Sequence, residues 1–95
     1  MDPSHWPFDQ PPNCAVFTLR SIVFDGAPIL SVFHDADDHG WQFLAGGDPA
    51  IEDAAVVSLE EIVQLDPSVL EVADLPPGGV AFRVTRDSAW QRSLQ

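Results

Sequence analysis

No lysine occurs anywhere in the chain, and only four arginines answer fifteen Asp and Glu, for a formal net charge of −11. A field of that sign repels a phosphate backbone, because nucleic-acid binding depends on Lys and Arg displacing counterions. It also disfavours anionic membrane surfaces. Neither nucleic acid nor membrane is an expected partner. The charge serves solubility, or it draws in a basic protein whose encounter it accelerates.

Cysteine is nearly as scarce. Cys14 stands alone, so an intrachain disulfide is impossible and a structural zinc site cannot rest on thiolates. That usage suits a reducing compartment. No stretch approaches the roughly 18 apolar residues needed to span a bilayer. The start MDPSHWPFDQPP lacks the basic-then-apolar order of a secretory signal, and a cytoplasmic location is expected. Catalytic signatures are missing too. No serine has a Gly-x-Ser-x-Gly context, and nothing marks Cys14 as an electropositive, exposed nucleophile. The pairs Gly46-Gly47 and Gly78-Gly79 lead into no Lys or helix-opening Ser/Thr. No cofactor is expected.

What is present is enough apolar material for a core, 45% of 95 residues, in a length that suits one domain. Residues 1–13, with Pro3, Pro7, Pro11 and Pro12, read as a Pro-rich flexible leader, or as one whose Trp6 and Phe8 rings lie on the domain. Residues 14–95 read as a single α+β domain.

Cys14 to Leu19 has the β-favouring composition of a first strand, and apolar character continues to Phe24 before the turn signal Asp25-Gly26. Ile29 to Gly47 reads as a hairpin. Its first strand is apolar on both faces, as in a strand covered on both sides. Its second puts Trp41 and Phe43 on one face and Gln42 and Leu44 on the other, and the acidic tip from Asp35 to Gly40 is an exposed loop. Gly46 to Asp53 is loop, and Ala54 to Val57 is a short strand or the approach to a helix. Ser58 with Glu61 makes a capping box for a helix to Leu65, and Asp66-Pro67 can cap and open a second. Pro77-Gly78 suits a type II turn. Val80, Phe82 and Val84 then alternate with Ala81, Arg83 and Thr85 as a half-buried strand. The expected architecture is a small antiparallel sheet of about four strands with one kinked helix or two short helices packed on one face.

Potential metal ligands concentrate at His34, Asp35, Asp37, Asp38 and His39. The spacing Asp35-x-Asp37-x-His39-Gly40 echoes the start of a calcium loop. The echo fails where Gly46 stands in place of the bidentate Glu, and where strands flank the tip instead of helices. The weak metal candidates are therefore His34, Asp35, Asp37 and His39. As contact surface for a partner, the candidates are Asp35, Asp37, Asp38, Trp41 and Trp90, the tryptophans serving only if exposed. Arg83 and Arg86 are expected to pair with nearby carboxylates.

The stretch Asp38-His39-Gly40-Trp41-Gln42-Phe43-Leu44-Ala45-Gly46 resembles a bacterial family known as a domain of unknown function (number 2185), linked with immunity-protein-33-like proteins of polymorphic toxin systems. The resemblance continues through Val57-Ser58-Leu59, Asp66-Pro67 and Asp74-Leu75-Pro76-Pro77-Gly78, covering residues 14–86. The chain departs from the pattern at His39, where Ser is usual, and at Asp48, since the acid follows Gly47 and not Gly46. The resemblance carries over no catalytic residue. It implies a compact α+β fold and, for some members, neutralisation of a toxin by direct binding.

The function expected is a non-enzymatic protein-binding domain, an immunity protein being the specific form, with a basic partner such as a toxin domain. The alternatives are a small metal-dependent enzyme or metal-binding module at the His34–His39 tip, and an accessory domain of a larger assembly.

Overall fold

A computed structural model describes residues 6–46 and 51–94. Residues 1–5, the loop positions 47–50 and residue 95 lie outside it, and with them the Gly47 and Asp48 end of the hairpin reading.

The described residues form six strands and two α-helices: β1 Ala15–Leu19, α1 Arg20–Asp25, β2 Ser31–His34, β3 Trp41–Leu44, β4 Ala54–Ser58, α2 Leu59–Leu65, β5 Gly79–Phe82 and β6 Gln91–Leu94. Two 3-10 segments, Ile51–Asp53 and Pro67–Val72, complete the order. The strands make one sheet in the order β4-β1-β3-β2-β5-β6. The α+β class expected from the sequence is the one observed, with six strands in place of about four. The sheet is mixed and not antiparallel throughout, because β1 runs parallel to β3 with Phe17 beside Gln42. The remaining pairings are antiparallel.

The core lies between one face of the sheet and the helical segments. Val16, Val32, Trp41, Phe43 and Ala81 point inward and meet Leu59, Ile62 and Val63 of α2 and Val69 and Val72 of the second 3-10 segment. Each fully buried Val, Leu, Ile or Phe stabilises by about 1.5–3 kcal/mol as an upper estimate.

α2 starts where it does because its first donors are all satisfied. Leu59 N–H donates to Cys14 O at 2.8 Å and Glu60 N–H to Pro12 O at 2.9 Å. Glu61 N–H donates to Ser58 Oγ at 3.1 Å, the cap read from the sequence. The leader therefore helps to start this helix. Phe8 is 5% exposed, its ring edge on Trp41 at 5.1 Å. Trp6 Nε1–H donates to Gln10 O at 2.7 Å. Of the two readings of the leader, rings lying on the domain describes Trp6 and Phe8.

Four elements depart from the sequence reading or go beyond it. The apolar run after Leu19 is a six-residue helix that ends at Gly26, whose φ of +75° provides the left-handed C-cap. β6, Gln91–Leu94, is exposed along its whole length and is a strand only through its pairing with β5. Along β5 and the two residues after it, the inward set is Ala81 and Arg83, while Phe82 and Val84 are exposed. The reason is a partner for the arginine, described below. β2 is central in the sheet but covered on one face only, with Val32 and His34 buried and Ser31 and Phe33 half-buried.

The turn into β5 is of the expected kind. Gly79 N–H donates to Pro76 O at 2.8 Å, with Gly78 at φ +88°. An alanine Cβ at Gly78 would find nothing nearer than Ala36 Cβ at 3.8 Å, so Gly78→Ala meets backbone strain without a clash. It is expected to cost about 1–2 kcal/mol, read as a lower urea midpoint with unchanged slope.

Candidate functional site

The hairpin tip is held by short local bonds. Asp35 N–H donates to Gly40 O at 2.8 Å, and Gly40 N–H donates to Asp38 Oδ1 at 2.8 Å. His39 sits between them at φ +59°, the one non-glycine at positive φ among the described residues. The two histidines nevertheless go separate ways. His34 is 3% exposed and stacks on Trp41 with ring centroids 4.1 Å apart. Its Nδ1–H donates to Leu75 O at 2.7 Å, since a carbonyl can only accept, and Nε2 is enclosed without a partner. His39 is exposed, its ring centroid 6.3 Å from that of His34.

Asp35 accepts from Gln42 Nε2 at 2.8 Å, and Asp37 is exposed. Among the described residues no three His, Cys, Asp or Glu side chains are grouped to hold a metal ion.

The tryptophans named as contact candidates are committed inward. Trp41 is 1% exposed and belongs to the core. Its indole N–H donates to Gln10 Oε1 at 2.7 Å, which removes it from the contact surface. Trp90 is half-buried and carries the Arg83 guanidinium 4.0 Å above its ring. Arg83, 6% exposed, donates through Nε to Ile29 O at 3.0 Å and through NH1 to Ser68 Oγ at 2.9 Å. NH2 meets Asp66 Oδ2 at 2.7 Å.

The Arg83–carboxylate pairing expected from the sequence is present. Arg86 instead donates to Gly26 O at 3.2 Å. It lines a cleft of about 150 Å³ with Ile22, Ala27, Ile29, Leu65 and Asp66. The Asp66 carboxylate there is already engaged, with Oδ1 accepting from Ser68 N–H and Oγ–H and Oδ2 on Arg83, so the cleft offers no unused acid.

The surface left without a job is the second face of the sheet. Register sets Val56 against Phe17, Phe17 against Gln42, Gln42 against Phe33, and Phe33 against Val80. These five residues cross five strands in one row. Beside it, Leu44, Ser31 and Phe82 form a second row. Phe17 is 55% exposed, Val56 61% and Phe82 44%. Asp35 borders this face through its bond to Gln42, and Glu52 and Asp53 stand exposed where the chain enters β4. Large contiguous apolar patches with polar rims mark interaction surfaces on soluble proteins. The sequence contained the signal, apolar residues on both parities of β1, β2 and β5, but not which parity lay outside. No family model, no curated protein and no solved structure matches the chain.

Proposed function

We propose that this is a non-enzymatic protein-binding domain whose open sheet face receives a basic partner, and that it acts as an immunity protein holding a toxin domain. The observation that carries the reading is the row Val56–Phe17–Gln42–Phe33–Val80, apolar but for Gln42 and bordered by acid. Apolar contact supplies affinity there, and the charge of −11 supplies rate and selects for a basic partner. Toxin domains that act on nucleic acid are basic for their own substrate's sake, which makes them the natural class. The acids of the tip, Asp35, Asp37 and Asp38, serve the encounter.

The test is comparative affinity capture from the native host, with the wild-type chain and a Phe17→Ser/Phe82→Ser variant as baits. Both positions are exposed, so the variant should fold. The expected result is a basic protein held by the wild type, released by about 0.5 M salt, and captured at least about tenfold less by the variant. Equal capture by both baits, or a captured protein that is acidic, would reject the reading.

A further inference from the structure

β4 is an edge strand of the sheet, and the direction of its backbone can be read. Leu59 N–H donates to Cys14 O, one step beyond the Ala15–Ser58 pair. Along an antiparallel strand, residues that bond to the neighbour alternate with residues that do not. Leu59, Val57 and Ala55 therefore turn their backbone groups toward β1. Ala54 and Val56 turn their N–H and C=O groups away, off the edge of the sheet, where no strand pairs with them among the described residues. Phe17 and Val56 form a pair without mutual hydrogen bonds, the closer of the two pair types.

Edges are ordinarily guarded by Lys, Pro or a bulge. The sequence Ala-Ala-Val-Val-Ser of β4 has no charge and no proline. Its protection lies at its ends, with Glu52 and Asp53 before it and Glu60 and Glu61 after it. Two copies paired antiparallel about Val56 would bring the Glu52–Asp53 end of each against the Glu60–Glu61 end of the other. Self-pairing is penalised twice, and a strand carrying Lys or Arg at both ends is favoured on the same account.

We propose that β4 is a docking edge, on which a basic partner adds an extended strand through main-chain bonds to Ala54 and Val56. Apolar side chains of that strand continue the Phe17–Val56 row, and its basic ends face Glu52, Asp53, Glu60 and Glu61. This deepens the protein-binding reading and rests on it.

The probe is a synthetic peptide of five alternating Val and Thr residues with two Lys at each end, titrated into 15N-labelled protein. A version with Glu in place of Lys is the charge control. A version N-methylated at every Val and Thr residue removes the donors of both edges of the peptide. Val56→Pro deletes the N–H that points off the sheet, and proline is tolerated at such edge positions.

The expected result is a shift of the Ala54 and Val56 amides by the Lys peptide and no binding of the Glu peptide. Affinity should fall by about tenfold or more on N-methylation or in Val56→Pro. Unshifted Ala54 and Val56 amides, or unimpaired binding of the N-methylated peptide, would overturn the proposal, and the latter does not depend on how the proline variant folds. Concentration-dependent broadening of these amides in protein alone would give the edge to a second copy and equally overturn it. If the host partner is captured by Val56→Pro as by wild type, but not by Phe17→Ser/Phe82→Ser, the edge falls and the face stands.

Discussion

Arg83→Leu is expected to remove about 3–5 kcal/mol of folding stability, visible as a large drop in the urea midpoint. The arginine is 6% exposed, and its removal strips partners from groups that cannot turn to water. Asp66, 8% exposed, would keep its Ser68 bonds and lose its countercharge. Ile29 O would lose a donor and Trp90 the cation over its ring. Against a total of about 5–15 kcal/mol for a domain, this is a large share. Arg83→Leu with Asp66→Leu should recover part of the loss, since the penalty is largely that of a stranded charge.

The same cluster has an acid signature. Burial alone would raise the Asp66 carboxyl. The hydroxyl and backbone N–H of Ser68, with the Arg83 guanidinium, outweigh it and hold the carboxyl below the ordinary aspartate value of 3.8. The unfolded chain thus takes up this proton at a higher pH than the folded chain. The contribution is complete above the unfolded value and is lost as pH falls through the folded one. Urea midpoints measured down that acid range should fall more steeply for the wild type than for Asp66→Asn.

Trp41→Ala is expected to cost a comparable amount, about 3–5 kcal/mol, for a different reason. The ring stacks on His34 at 4.1 Å and on Phe43 at 6.0 Å, and takes the edge of Phe8 at 5.1 Å. Its N–H holds Gln10. Alanine would open a cavity at the centre of the sheet and release the segment that carries Phe8, Gln10 and the Pro12 carbonyl used by α2. Trp41→Phe keeps most of the stack and loses the hydrogen bond, for about 1–2 kcal/mol. Thermal melts followed by near-ultraviolet circular dichroism separate the two variants.

Much of the local grammar is legible in the sequence. Ser58, Asp66-Pro67 and Pro77-Gly78 are punctuation with local physics, and each acts as read, because a cap or turn needs only its own neighbours. Asp66 exceeds that reading. One oxygen caps the 3-10 segment and the other binds Arg83, seventeen positions away. That distant partner is also why β5 could not be oriented from hydropathy. A Val-Phe-Val set outside and an arginine inside is unfavourable until the carboxylate is known to be there. β6 left no pattern because all four of its residues are exposed and only its pairing with β5 makes it a strand. The parallel pairing of β1 with β3 has no local signal at all. For the candidate site, Trp41, a contact candidate only if exposed, is core at 1% exposure, because aromatic character does not distinguish core from anchor. The open face was missed for the same want of parity.

The pairing order also has a consequence for how the molecule is made. β1 leaves the ribosome first, yet both its neighbours, β3 and β4, are synthesised after it. β2 and β3 can close as a local hairpin, a microsecond-scale event. Val16 and Leu19, buried in the finished fold, must wait, uncovered, until β3 and then β4 are available. Nascent chains with such waiting apolar strands are those that chaperones attend.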